Sequence, residues 1–155
     1  MHLVDVAHGI MGSSAVVGTT VPNSVGYALA LKQQGKNAIV VSFFGDGATE
    51  EGAFFESLNF AALKNVPLIF VCENNGYAIH TSIRKRQKST DLCAKARAFG
   101  IESELIRDND VLALYEASRE RVDKLRNGYP GPFFLEVQTY RWKEHVGPGE
   151  DYGLG

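Results

Sequence analysis

The stretch that decides the fold is residues 38–52, which read AIVVSFFGDGATEEG. An apolar run interrupted only by Ser42 leads directly into Asp46, which stands between two glycines and is followed by Thr49 and two glutamates. A short run that is apolar at consecutive positions is typical of a strand covered on both faces, and glycines followed by acidic residues are typical of a turn entering a helix. The stretch therefore predicts a buried strand, a tight turn and a helix.

The same alternation continues along the chain. Apolar runs predict strands over residues 38–44, 67–73, 101–106 and 133–140, and segments of helical period predict helices over 22–34, 50–65, 90–99 and 111–126. Alternating strands and helices require crossover connections, and consecutive apolar strand residues require cover on both faces. We therefore predict an α/β fold with a doubly wound parallel sheet, forming a single domain over residues 1–155.

Composition excludes several classes of protein. The chain has 155 residues, 45% of them hydrophobic, and a formal net charge of −2. No segment approaches the roughly 20 apolar residues of a membrane span, and we expect a soluble protein inside the cell with no membrane partner. Cys72 and Cys93 lie in apolar and helical runs and are expected to be buried free thiols. The basic run at 84–88 lacks interleaved aromatic residues, which favours a solvated loop over a nucleic-acid site, with a substrate-entry or subunit contact as the alternative.

The residues after the first strand suit an anion. Main-chain N–H groups at the entrance of a helix attract negative charge, and glycine lets a phosphate approach the backbone closely, so Gly45, Gly47 and Ala48 predict a diphosphate cradle. Asp46 would repel that diphosphate unless a divalent cation lies between them. This combination predicts a magnesium site.

A second loop offers the remaining ligands for such an ion. Magnesium keeps phosphate oxygens and water in its shell, so the protein need supply only about three oxygens. Asn75 offers a neutral amide oxygen, and Gly76 permits a turn that presents the Tyr77 carbonyl. One carboxylate with two neutral oxygens leaves positive charge on the metal for the diphosphate. Ligands bind beyond the carboxyl ends of parallel strands, which is where both loops are predicted.

These residues resemble a known signature. Gly45-Asp46-Gly47 is followed after 26 residues by Asn74-Asn75, which is similar to the thiamine diphosphate signature. The flanking residues 44–52 and 71–79, together with 139–141 and His145, resemble the α subunit of the decarboxylating component of 2-oxo acid dehydrogenases. The resemblance covers essentially the whole chain and implies the thiamine diphosphate-binding fold.

The resemblance also implies residue roles. Asp46, the Asn75 side chain and the Tyr77 carbonyl would bind Mg²⁺. Ala15 and Val17 match main-chain positions that hold the aminopyrimidine ring, and Arg141 and His145 match a loop over the cofactor, with His145 near the substrate channel as the candidate catalytic residue. The implied cofactor-binding set is Ala15, Val17, Gly45, Asp46, Gly47, Ala48, Asn75, Arg141 and His145.

The activity implied by the resemblance is oxidative decarboxylation of a 2-oxo acid with acyl transfer to a lipoyl group. The implied partners are a β subunit, in a heterotetramer of two α and two β subunits, and a lipoyl-bearing acyltransferase component. Met1-His2 matches an internal Met-His of the family, which implies truncation at both ends and inactivity of the chain alone. A bacterial cytoplasmic location is expected, with the mitochondrial matrix as the alternative.

Other interpretations remain open. The glycines around Asp46 also occur in ordinary strand-to-helix turns. A dinucleotide fingerprint is disfavoured because Glu50 stands where its third glycine is required. An acetoin dehydrogenase or another thiamine diphosphate enzyme shares these motifs, and a non-catalytic binding module is the alternative outside catalysis. His145 by itself would be a routine loop residue. The apolar helical set at positions 54, 55, 58, 60 and 63 predicts core or subunit interface.

Overall fold

A computed structural model describes residues 2–151 and shows a parallel sheet with helices on both faces. These residues form six strands: β1 (Val40–Gly45), β2 (Leu68–Asn74), β3 (Tyr77–Ala78), β4 (Thr81–Ser82), β5 (Glu102–Ile106) and β6 (Phe133–Gln138). Four of them form the main sheet in the order β1-β2-β6-β5, with every neighbouring pair parallel. The remaining two, β3 and β4, form a small antiparallel hairpin.

The helices alternate with these strands as predicted. They are α1 (Thr20–Gln33), α2 (Gly52–Lys64), α3 (Ile83–Arg86), α4 (Leu92–Arg97) and α5 (Val111–Arg126), with short 3₁₀ turns at Val6–His8 and Asp46–Glu50. The α/β class, the parallel sheet and the four predicted strand regions are confirmed. Within residues 2–151, no helix combines the length and apolar character needed to cross a bilayer.

Some boundaries and local elements differ from the predictions. Residues 38 and 39 lie outside β1, which begins at Val40 because pairing with Leu68 of β2 begins there. The helix predicted from residue 50 is preceded by a separate 3₁₀ turn over Asp46–Glu50 and begins at Gly52. The β3–β4 hairpin and α3 were not predicted, because segments this short carry no usable hydrophobic period.

One face of the sheet packs against α1, α2 and α4. Phe44 of β1, Phe54 of α2 and Phe134 of β6 meet in its centre, with ring centroids 5.7 Å apart for Phe44–Phe54 and 6.4 Å apart for Phe54–Phe134. The apolar set predicted on α2 divides between core and surface, because Phe54 and Leu58 are buried whereas residues 60 and 63 are exposed.

The other face packs against α5. This helix covers a second apolar cluster that includes Ile69 and Val71 of β2 and Leu135 of β6. Asp110 caps the helix, since its Oδ1 accepts hydrogen bonds from the main-chain N–H groups of residues 112 and 113. Helices on both faces confirm the doubly wound arrangement. On this side β1 is uncovered, and its Phe43 is 62% exposed.

Both cysteines are buried and free, as predicted. Burial, reinforced by the nearby negative charge of Glu136, raises the pKa of the Cys93 thiol to about 11 and that of Cys72 well above its usual range. Both groups are therefore neutral thiols at physiological pH. They pack as small apolar side chains in the cluster beneath α4.

Candidate functional site

Two loops meet at one edge of the main sheet. β1 and β2 are adjacent and parallel, with Gly45 paired to Glu73, so the segments that follow them leave the sheet at the same edge. The 3₁₀ turn after β1 packs against the hairpin after β2, since a Cβ atom at Gly47 would lie 3.0 Å from the Cβ of Ala78. The structure therefore brings together the two loops in which the sequence predicted metal and diphosphate ligands.

Asp46 is the buried charge at this junction. It opens the 3₁₀ turn with 1% of its surface exposed, and its carbonyl accepts a 2.7 Å hydrogen bond from the Thr49 hydroxyl. Its carboxylate oxygen Oδ2 accepts a 2.5 Å hydrogen bond from Nη2 of Arg86. No other hydrogen bond within residues 2–151 reaches the Asp46 carboxylate. Oδ1 is thus free to accept a further ligand.

The contact with Arg86 corrects one prediction. The basic run at 84–88 was expected to be a solvated loop, but α3 occupies its first half and the Arg86 side chain is only 9% exposed. A charge run in sequence does not reveal which member turns inward. Here Ser82 caps α3 by accepting a hydrogen bond from the Arg84 N–H, and the short helix directs Arg86 toward Asp46.

The second loop is held by two side-chain hydrogen bonds. Asn75 Oδ1 accepts from the Tyr77 N–H at 2.9 Å, and Asn74 Oδ1 accepts from the Gly76 N–H at 2.9 Å. Gly76 has φ +81°, which glycine adopts without strain. The Asn75 oxygen has a second lone pair, so its bond to Tyr77 leaves it able to bind a cation.

Glu136 supports this loop from the neighbouring strand. Its Oε1 accepts a 2.7 Å hydrogen bond from Asn74 Nδ2, and the carboxylate is 4% exposed within β6. The bond fixes the orientation of the Asn74 amide, and thereby the oxygen that receives the Gly76 N–H. The sequence alone did not reveal that Asn74 and Glu136 support this loop. The available signal was a single charge inside the otherwise apolar run at 133–137.

The residues predicted to hold the aminopyrimidine lie in the segment before α1. Ala15 and Val17 are exposed, and within the described part of the chain their main-chain N–H and C=O groups make no hydrogen bonds. The next residue, Gly18, packs against Glu51 close to the Asp46 turn, since a Cβ atom there would lie 2.9 Å from the Glu51 Cγ. The segment is thus near the first loop and has unused polar groups.

Arg141 and His145 fall in the loop after β6. Arg141 donates from Nη2 to the Ile79 carbonyl at 2.7 Å, which joins this loop to the hairpin, and it pairs with Asp151 at 2.6 Å. Its buried Nη1 has no partner within residues 2–151. His145 is exposed, and no described contact joins it to the Asp46 or Asn75 loops. Its catalytic role stays a prediction.

Comparisons of the amino-acid sequence with known families and with individual proteins agree with each other. The family described as "Dehydrogenase E1 component" matches residues 1–151. The α subunit of an acetoin:2,6-dichlorophenolindophenol oxidoreductase from Cupriavidus necator is 40% identical over 145 residues, which cover 94% of this chain and 43% of that protein. The α subunit of a pyruvate dehydrogenase E1 component from Zymomonas mobilis is 38% identical, with 94% and 41% covered. The chain spans about two fifths of the length of these relatives.

Solved structures agree on the fold. A Campylobacter jejuni transketolase superposes with a TM-score of 0.69 at 21% identity, covering 79% of this chain and 20% of that one. A Mycobacterium smegmatis protein described as a putative thiamin diphosphate-dependent enzyme superposes with a TM-score of 0.61 at 27% identity, covering 81% and 22%. At 21% identity, the likeness to the transketolase concerns the fold alone.

Proposed function

This chain belongs to the dehydrogenase E1 component family, and we propose that it carries the thiamine diphosphate and Mg²⁺ site of a 2-oxo acid dehydrogenase α subunit. The observation that carries the proposal is the junction of the two loops. A carboxylate buried at a glycine-flanked turn lies against a hairpin, and the two proposed neutral oxygens are the amide of Asn75 just before that hairpin and the carbonyl of Tyr77 at its start. That donor set suits a hard cation that also binds phosphate.

The residues at this junction suit both Mg²⁺ and the diphosphate. Asp46, the Asn75 amide oxygen and the Tyr77 carbonyl would hold Mg²⁺, and Asp46 would be its only charged protein ligand. The turn formed by Gly45, Gly47 and Ala48 would hold the diphosphate. A side chain at position 47 would meet the Ala78 Cβ at 3.0 Å, so the close packing of this turn on the hairpin requires glycine there. Ala15 and Val17 would receive the aminopyrimidine through their unused main-chain groups.

The proposed reaction is decarboxylation of a 2-oxo acid with acyl transfer to a lipoyl carrier. Thiamine diphosphate, when bound, would supply the nucleophile for the substrate carbonyl and the electron sink for decarboxylation. This chain's residues bind and orient that cofactor. Arg141 holds the loop after β6 against the hairpin, and His145 would face substrate from that loop. We further propose that a β subunit supplies a Glu that activates the aminopyrimidine ring, that the two subunits assemble as a heterotetramer, that a lipoyl-bearing acyltransferase receives the acyl group, and that the location is the bacterial cytoplasm.

Calorimetry tests the proposal directly. The subunit assembled with its β partner is titrated with thiamine diphosphate in the presence and in the absence of Mg²⁺. We expect binding only when Mg²⁺ is present, because the cation would join the diphosphate to the Asp46 carboxylate, which otherwise offers it no attraction. No metal-dependent binding would favour the non-catalytic binding module. Dye reduction by the same assembly with pyruvate, a branched-chain 2-oxo acid and acetoin then separates a 2-oxo acid dehydrogenase from an acetoin enzyme.

Gly47→Ala tests the cradle. The added methyl group would meet the Ala78 Cβ at 3.0 Å, so the hairpin must move away from the turn. We expect thiamine diphosphate to bind about tenfold more weakly, equivalent to about 1.4 kcal/mol, which is within the usual cost of overpacking. Titration calorimetry with Mg²⁺ present measures this effect.

Gly52→Ala is the matched control for Gly47→Ala. Gly52 begins α2, and a Cβ atom there meets nothing within 4 Å. The control should bind cofactor as the wild type does and should be slightly more stable, since Ala favours helix. Equal affinity of Gly47→Ala and Gly52→Ala would contradict the cradle.

A further inference from the structure

We propose that Arg86 is a positioning residue for the metal ligand Asp46. Its guanidinium fixes one carboxylate oxygen and leaves the other available to the cation. The inference rests on the proposed function, because it concerns how Asp46 is presented to Mg²⁺. It starts from the observation that a buried arginine, on a helix absent from the sequence predictions, reaches the predicted metal site.

The burial of Asp46 creates the need for a partner. An ionised carboxylate removed from water is costly unless it is paired and hydrogen-bonded. Asp46 is almost fully buried, and Arg86 is the only cation within residues 2–151 that forms a salt bridge with it. Arg86 therefore gives the buried Asp46 carboxylate a charged partner and holds it in one orientation. A ligand that is already held loses less conformational entropy when it binds.

The geometry of the contact defines the orientation of the carboxylate. All three guanidinium nitrogens of Arg86 are engaged: Nη2 donates to Asp46 Oδ2, Nη1 donates to Glu50 Oε1, and Nε donates to the Thr81 carbonyl at 2.9 Å. The planar group cannot turn without breaking one of these bonds. Because Oδ2 accepts from Arg86, Oδ1 is the carboxylate oxygen of Asp46 with no hydrogen bond from residues 2–151, and it is the one we assign to the cation.

Arg86 also sets the distance between the two loops. Asp46 and Glu50 bound the 3₁₀ turn after β1, whereas Thr81 lies in β4 and pairs with Ala78 of β3. A single side chain thus joins the turn that carries Asp46 to the hairpin that follows Asn75. Gln87 adds a parallel link, since its Nε2 donates to the Thr49 hydroxyl at 3.0 Å and to Glu50 at 2.8 Å. Loss of Arg86 would loosen this junction without separating it.

Two effects of Arg86 on the metal oppose each other. Its positive charge repels a cation at Asp46, whereas its hydrogen bonds hold the ligand in place. The diphosphate brings several negative charges to the same point. The positive charge of Arg86 is therefore favourable in the complex that contains both the metal and the diphosphate. With thiamine diphosphate present, orientation is therefore expected to dominate. If Arg86 instead competed with the metal, its removal would tighten metal binding.

The sign of the effect is measured with Mn²⁺ as the probe. Mn²⁺ binding to the subunit assembled with its β partner is followed by electron paramagnetic resonance at saturating thiamine diphosphate. Arg86→Gln is expected to bind Mn²⁺ about 10- to 100-fold more weakly than the wild type, the range found when groups that orient metal ligands are removed. Lys85→Gln removes the same charge from an exposed neighbour on α3 and should bind Mn²⁺ as the wild type does.

Arg86→Lys covers the case in which Arg86→Gln fails to fold. Lysine keeps the charge but cannot reach three acceptors at once, so we expect Mn²⁺ binding at least about threefold weaker than wild type. Unchanged affinity in Arg86→Lys, or unchanged or tighter binding in Arg86→Gln, overturns the positioning role while leaving the metal site intact. No Mn²⁺ binding by the wild type would instead refute the proposed function, and this role with it.

Discussion

Asp46→Asn is expected to abolish magnesium-dependent binding of thiamine diphosphate, with a loss of at least about 100-fold in affinity. The change keeps the shape of the side chain but removes the only proposed charged metal ligand, and it leaves Arg86 without its buried partner. Removing one partner of a buried charge pair at a binding interface, here Asp46 with the proposed Mg²⁺, costs about 2–5 kcal/mol of binding free energy. A 100-fold loss of affinity corresponds to about 2.7 kcal/mol. Calorimetric titration of the assembled enzyme with Mg²⁺ present measures the loss.

The matched control is Glu73→Gln, which removes an exposed carboxylate at the end of β2, beside the second loop. It should bind cofactor with wild-type affinity, because Glu73 makes no hydrogen bond or ion pair through its side chain within residues 2–151. Circular dichroism of both variants checks that the fold persists. Cofactor binding by Asp46→Asn at wild-type affinity would remove Asp46 from the metal site.

Phe134→Ala is expected to lower the free energy of unfolding by about 3–5 kcal/mol, the usual cost of truncating a buried aromatic side chain to alanine. Phe134 is 0% exposed in β6, and its ring lies 6.4 Å from the rings of both Phe44 and Phe54. The cavity would open in the core cluster that Phe134 forms with Phe44 and Phe54. Urea denaturation followed by circular dichroism gives the change.

Phe43→Ala provides the comparison for Phe134→Ala. It removes the same side chain from β1 at a position where it is mostly exposed. A change within about 0.5 kcal/mol is expected, as for most surface substitutions. Losses of similar size in the two variants would show that the core is not centred on Phe134.

The local pattern of apolar and polar residues was sufficient to predict the main strands and helices of this fold. Continuous apolar runs indicated the four sheet strands, because both faces of a parallel sheet are covered. The bounds of α5 were predicted to the residue, since its apolar period begins after the capping Asp110. The ends of β1 and β6 were less accurate, because a strand begins and ends where its neighbour supplies hydrogen bonds, and that depends on another part of the chain.

The sequence by itself determined that the Asp46 and Asn75 loops would lie together, because the carboxyl ends of adjacent parallel strands meet at one edge. Only the tertiary structure decided which side chains support those loops. Arg86 meets Asp46 across 40 residues, and Glu136 meets Asn74 across 62. Neither pair follows from a local period, since each depends on strand order and on the direction taken by a short helix or strand end. Burial then makes each contact obligatory, because a charge removed from water needs a partner.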